Sequence, residues 1–213
     1  MSSVEALREY KYDDPELTFT HAYLFPAVVR MLGQLPAGAP VFELGCGNGA
    51  CAAELAKLGY AVTGVDPSEP GIAIANRHFP ACKLEVGSSD EDLAARFGTF
   101  DALISLEVVE HVYSPRRYVE TIDALLRPGG IAVISTPYHG YLKNLALALT
   151  NKMDVHFTAL WEGGHIKFWS KPTLDALFTG AGFRPEAFAR VGRVPQLAKS
   201  MVVLYRKPGV PSV

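Results

Sequence analysis

Short apolar runs alternate with longer segments that mix apolar and polar positions. Residues 41–44, 61–65, 83–86, 101–105 and 131–135 read as strands. Residues 50–58 and 70–78 between them carry helical spacing, and Ser114-Pro115 opens a further helix that stops at Arg127-Pro128-Gly129-Gly130. Strands alternating with helices of about ten residues imply right-handed βαβ units and a parallel sheet. Near-continuous apolar strands suit a sheet buried on both faces.

The two ends of the chain read differently. The first thirteen residues are charged and weakly patterned, so they are expected to be loosely docked. Asp14 is placed to cap a helix with Pro15 at its first turn, and Leu17, Leu24, Val28 and Leu32 recur at helical spacing. Pro26 should kink that segment or start a second helix. Near the other end, Ser170 caps a helix over 171–178 that stops at Gly180. Two more strands follow, at 184–191 and 200–205, close enough in sequence to pair antiparallel.

Composition narrows the class. The chain has 213 residues, is 49% hydrophobic and carries a formal net charge of −2. That suits a single domain, 1–213, and argues against a partner held mainly by phosphate neutralisation. The end of the fourth strand, Ser105-Leu106-Glu107-Val108, also lacks the Asn-Pro-Pro-Tyr type of loop that grips a base, so no nucleic-acid partner is expected. Apolar stretches are far shorter than the roughly 20 residues that span a bilayer, and no secretory signal is read at the polar start. Cys46, Cys51 and Cys82 form no CxxC pair, which fits a reduced, cytoplasmic protein without disulfides or zinc.

The strongest chemical signal is Gly45-Cys46-Gly47-Asn48-Gly49, between the first strand and the next helix. Glycines let the backbone turn tightly and approach a ligand, and the helix start offers free N–H groups. Asp66, closing the second strand, is placed to accept ribose hydroxyls. Taken singly, a tight turn and a solvated aspartate explain these features. Together they point to a nucleoside. Gly45-x-Gly47-x-x-Ala50 also satisfies the dinucleotide fingerprint, so a nicotinamide-dependent oxidoreductase competes. Glu43, inside the first strand, suits a ligand with an ammonium or sulfonium better than a pyrophosphate. Its alternative is an ion pair within the loop.

Four strings resemble the motifs of class I S-adenosylmethionine-dependent methyltransferases. They are Val41 through Gly49, Val62-Thr63-Gly64-Val65-Asp66-Pro67-Ser68, Phe100 through Val112 with its Glu107-x-x-Glu110-His111 core, and Leu125-Leu126-Arg127-Pro128-Gly129-Gly130. They stand in the family's order over about half the chain. The resemblance implies a Rossmann-like, doubly wound seven-stranded α/β sheet, mostly parallel with its last strand antiparallel. Gly45, Cys46 and Gly47 would pass under the methionine part of S-adenosyl-L-methionine, and Glu43 would help hold its amino group. Asp66 would bind the ribose, with Pro67 packing near the adenine and Ser89 and Asp90 beside the adenine edge. Leu106 and Glu107 would sit near the reactive methyl.

Methyl transfer needs alignment above all, and a base when the acceptor is a weakly acidic hydroxyl. His111 is the first candidate for that base, with Glu107 and His139 the other candidate catalytic residues. Against this, His111 also reads as a loop histidine held by a neighbour. Glu107, Glu110 and His111 are conceivable ligands of one divalent cation, which is not favoured because a helical start would splay them. Residues 1–36 should form a helical cap, and 137–169 an insertion roofing the site. That insertion holds Tyr138, His139, Tyr141, His156, Phe157 and Trp161 among other aromatics, so a small, aromatic or apolar methyl acceptor is expected. Within it, Leu142, Leu145, Ala146 and Leu149 form one apolar face, expected to pack on the core, with peripheral membrane contact through 141–151 the less favoured reading. The layout loosely resembles ubiquinone-biosynthesis O-methyltransferases, some of which depend on a metal, and this tilts the expectation toward an oxygen acceptor. A cofactor-binding protein without transfer activity is the third reading.

Overall fold

The computed structural model describes residues 14–33, 35–161 and 163–209. The expectation of a loosely docked start over 1–13 lies outside them. Seven strands form one sheet: β1 (Pro40–Leu44), β2 (Ala61–Asp66), β3 (Lys83–Val86), β4 (Phe100–Leu106), β5 (Leu126–Pro137), β6 (Arg184–Val191) and β7 (Ser200–Arg206). Their order is β3-β2-β1-β4-β5-β7-β6. Contacts from β3 through β5 are parallel, and β7 runs antiparallel to both β5 and β6. The α/β sheet with one reversed strand is the architecture expected.

Helices α1 (Phe19–Leu32), α2 (Ala50–Lys57) and α3 (Glu69–His78) cover one face, with Leu24, Val28, Cys51, Leu55 and Ile72 in a core shared with Ala102, Ile104, Val202 and Leu204. A short helix, α4 (Leu93–Phe97), is joined on the other face by α5 (Pro115–Leu125) and α8 (Lys171–Gly180). There Tyr118, Ile122, Leu174 and Phe178 pack with Leu103, Val203 and Tyr205. Alternate residues of β4 and β7 thus enter opposite cores, as the period of two requires.

Three expectations change. Asp14 and Pro15 do not start α1. Asn48 Nδ2 donates to the carbonyls of Asp14 and Glu16 at 2.8 and 2.9 Å, which draws that segment over the glycine loop. Thr18 is the cap, accepting the His21 N–H at 3.3 Å. Pro26 neither breaks nor restarts the helix; it and Ala22, whose carbonyl it leaves free, are both exposed, so water reaches that carbonyl. Finally, β5 extends well beyond 131–135. Its early part pairs Leu126 with Phe100, and its end pairs Pro137 with Ser200.

Between β5 and α8 the chain forms α6 (Tyr141–Leu149) and α7 (Met153–Phe157). The expected burial of α6 is reversed. Leu142, Leu145 and Leu149 are exposed, while Lys143 and Leu147 face a cavity over the sheet. No helix among the described residues is long and apolar enough to cross a membrane.

Candidate active site

The site lies beyond the carboxyl ends of β1, β2, β4 and β5, where the strand order turns from β1 to β4. The glycine loop leaves β1 with Gly45, Gly47 and Gly49 at φ +88°, +52° and +77°. Gly45 and Cys46 N–H groups donate to the Val65 carbonyl at 2.8 and 3.0 Å, pinning the loop to β2. A Cβ on Gly45 would lie 2.4 Å from Val108 Cγ2, so no side chain fits there. Asp66 is buried at the end of β2. Its Oδ2 accepts the Gly47 N–H and its Oδ1 the Ser68 N–H, each at 2.9 Å. Burial raises its pKa, and the Ser68 and Gly47 donors partly offset this. A carboxylate has about four acceptor positions, so lone pairs remain for hydroxyls in the cleft.

That cleft, of about 240 Å³, is lined by Gly45, Gly47, Asp66, Pro67, Leu106 and Glu107 together with Thr20, His21 and His111. It combines an apolar floor, a side-chain-free glycine wall and a buried carboxylate with free lone pairs, features that suit a nucleoside such as that of S-adenosylmethionine. Glu43 lies beneath the loop instead. Its buried carboxyl faces the Cys51 thiol and the Ala52 amide, Oε2 has no hydrogen-bond partner, and burial pushes its pKa up to about 8. Cys46 supports the loop through its backbone while its side chain is buried. Ser89 and Asp90 do not line the cleft. The Ser89 carbonyl accepts Thr121 Oγ1, and the Asp90 N–H donates to Ser88 Oγ.

Glu107 closes β4 in the left-handed region at φ +56°. Its N–H donates to Ser135 Oγ at 3.0 Å, Ser135 Oγ–H donates to its Oε1 at 2.8 Å, and Ser200 Oγ–H donates to its Oε2 at 3.0 Å. Tyr23 from α1 is bonded to the same Ser200 Oγ at 3.1 Å. Burial raises Glu107 to about 7, opposed by the two serine donors and by Lys143. Ser135, Ser200 and Tyr23 were not picked out as site residues from the sequence. Their one sequence sign is a polar position inside an otherwise apolar strand or helix.

His111 follows in the turn after Glu107. Its Nδ1 is 2.8 Å from the Gly163 carbonyl and 3.2 Å from that of Gly164. A carbonyl only accepts, so Nδ1 carries a proton, and in the neutral ring the lone pair is on Nε2. The buried Glu110 carbonyl accepts the N–H groups of Ile166 and Lys167 at 2.9 and 3.0 Å, tying the insertion to this turn. Glu110, His111 and His165 bring one ligand atom each to within 4.8 Å of one another. These three, and not the disfavoured trio with Glu107, bring together a donor set that could hold a cation. Glu107 is turned away toward Ser135 and Ser200. His139 is also separate. It stacks on Phe157, with ring centroids 5.9 Å apart, and lines a different hollow with Phe168, while burial lowers its pKa to about 4.

A second cavity, of about 650 Å³, opens beside the cleft under α6, and Thr20, Glu107 and His111 line both. The two cavities therefore meet at two titratable side chains, Glu107 and His111.

A family profile described as a methyltransferase domain matches residues 17–187. Among curated relatives, the ubiquinone biosynthesis O-methyltransferase of Caulobacter vibrioides is 36% identical over 128 residues, 58% of this chain and 49% of that protein. The protein of the same name from Dinoroseobacter shibae is 33% identical over 155 residues, 70% of this chain and 61% of that one. The chain thus spans about half the length of the curated relatives it matches. Among solved structures, an S-adenosylmethionine-dependent methyltransferase from Mesorhizobium loti shares the fold with a TM-score of 0.67 at 22% identity. That match covers 86% of this chain and 97% of that one. The nicotinamide alternative goes with the dinucleotide-binding order 3-2-1-4-5-6, which lacks the reversed strand inserted here between β5 and β6. By profile, strand order and cofactor cradle, the chain belongs to the methyltransferase-domain family, within the class I S-adenosylmethionine-dependent methyltransferases.

Proposed function

We propose that this protein transfers a methyl group from S-adenosylmethionine to a hydroxyl oxygen of a small aromatic acceptor. The observation that carries this reading is the shared wall. Glu107 and His111 line both the cofactor cleft and the larger cavity, so a hydroxyl in the second meets them where the first ends. The relatives named O-methyltransferases support oxygen as the acceptor atom. Trp161, Tyr23 and Leu147 on the cavity wall support a ring.

When bound, S-adenosylmethionine supplies a methyl on a sulfonium and leaves as the neutral thioether. Gly45 and Gly47 would hold its ammonium through their carbonyl oxygens, since their N–H groups already donate to Val65 and Asp66, and Asp66 would hold the ribose. His111 Nε2 takes the acceptor's hydroxyl proton as the oxygen bonds to carbon, while Nδ1–H stays on the Gly163 carbonyl and fixes the ring. Glu107, locked by Ser135 and Ser200, shapes the junction between the two cavities.

The test is incubation with S-adenosylmethionine and a panel of phenols, catechols and matching anilines, reading S-adenosylhomocysteine release and the methylated product by mass spectrometry. Hydroxyl-dependent release with O-methyl product is expected. Transfer to the anilines alone, or no acceptor-dependent release from a protein that binds the cofactor, overturns the reading.

A further inference from the structure

The cavity under α6 carries a charge pattern that a neutral phenol leaves unexplained. Lys143, Lys152, Arg193 and Lys199 all line it, and Glu107 is its one carboxylate among the described residues. The chain as a whole has a formal charge of −2, so this is a local concentration. Several basic side chains elsewhere stand beside acids, as Arg127 does with Asp101 and Arg206 with Glu186, each at 2.6 Å. Among the described residues, none of the four cavity cations has a carboxylate within ion-pair distance. Lys199 instead sits over the Phe19 ring at 4.2 Å.

Lys143 is the informative member. It leaves the inner face of α6, reaches the Lys199 carbonyl at 3.3 Å, and feels both the Glu107 carboxylate and the Arg193 guanidinium. Burial and Arg193 pull its pKa down to about 8, against the pull of Glu107. Holding an ammonium half-buried near a guanidinium costs free energy that a bound anion would repay. An Arg fork and a nearby ammonium match a carboxylate.

We infer that the acceptor is an aromatic acid: a phenol or catechol whose ring bears a carboxylate, held by Lys143 and Arg193 while its hydroxyl lies at the Glu107–His111 end. This rests on the cavity being the acceptor pocket. The carboxylate would set which hydroxyl meets the donor cleft, because Lys143 and Arg193 attract it and Glu107 repels it. An acid is oriented by these charges, and a neutral ring is free to turn over.

The experiment uses 3,4-dihydroxybenzoate, its methyl ester and catechol as probes. Each is titrated calorimetrically into the full chain saturated with S-adenosylhomocysteine, and each is assayed for methylation with S-adenosylmethionine. The acid should bind about tenfold or more tightly than its ester, as a charge-assisted contact implies. In Arg193→Gln and, separately, Lys143→Met, the acid-to-ester affinity ratio should fall about tenfold. Arg193 is exposed, so its replacement leaves folding intact even where the Lys143 variant does not. Equal binding of acid and ester, an unchanged ratio in Arg193→Gln, or no binding by any probe overturns the inference. Methylation of ester and catechol but not of the acid also overturns it while leaving the O-methyltransferase reading in place. Preferential binding of the acid without any methyl transfer does the reverse.

Discussion

Ser135 holds Glu107 from both ends: its Oγ accepts the Glu107 backbone N–H at 3.0 Å and donates to Glu107 Oε1 at 2.8 Å. The bond pair closes around a residue at φ +56°, a conformation that non-glycine residues seldom adopt and that costs about 1–3 kcal/mol. One hydroxyl thus offsets strain in the backbone and partly satisfies a buried acid. Ser135→Ala removes both contacts and leaves Oε1 short of a donor, while the Glu107 N–H keeps the Ser135 carbonyl at 3.2 Å. The expected loss is roughly 1–3 kcal/mol of stability by chemical denaturation, with a larger proportional fall in turnover than in cofactor affinity. A stability change below about 0.5 kcal/mol would show that the strain is carried elsewhere.

His111→Ala should slow methyl transfer about a hundredfold, the lower range for loss of a general base. Affinity for S-adenosylhomocysteine should change little, because the amino-acid and ribose contacts are assigned to Gly45, Gly47 and Asp66 and not to His111. Steady-state kinetics beside calorimetry separates the two effects. Undiminished kcat removes His111 from the proton transfer.

Asp66→Ala should weaken S-adenosylmethionine binding by about 1.5–3 kcal/mol, the worth of hydrogen bonds to a charged acceptor. The variant also strips the Gly47 and Ser68 N–H groups of their acceptor, so the loop itself should loosen. Calorimetry reads the first effect, and amide hydrogen exchange over 45–49 reads the second. Full affinity in the variant contradicts the ribose assignment.

Glu43 makes a prediction about pH in the cofactor-free protein. Its carboxyl keeps its proton up to about pH 8 when folded, against 4.5 for the ordinary group. Between these values the folded chain binds more protons than the unfolded one, so stability falls as pH rises through the window. Glu43→Gln cannot ionise and should escape that fall. Its Tm advantage over the parent should be small at pH 5 and grow by pH 8, by about 2–4 °C for each kcal/mol recovered. Parallel melting curves across that range would mean that Glu43 is already charged under the loop.

The strands were legible because burial on both faces writes an unbroken apolar run, as in Leu103-Ile104 or Ile131 to Ile134. Asp66 and the glycines were legible because turn and cap chemistry is local. The Ser200–Glu107 and Tyr23–Ser200 bonds span 93 and 177 positions, so no window of sequence contains them. Helices α4 and α7 have five residues each, too few to show a period. Leu142, Leu145 and Leu149 do form one stripe at helical spacing, with Lys143 off it. Which side of α6 meets the protein is a tertiary fact, and there the leucines turn outward.

The insertion after β5 has a neck. The Tyr138 N–H donates to Lys199 at 2.9 Å, the His139 N–H donates to Trp169 at 3.3 Å, and Trp169 Nε1 ties the exit to the Val109 carbonyl at 3.2 Å. Entry and exit are thus fastened to each other and to the sheet before any acceptor contact is made. The roof is not independent of the cradle, however, because Gly163 lines the cofactor cleft and its carbonyl holds His111. A change in the acceptor roof is therefore felt at the donor side, and the two halves of the site must vary together.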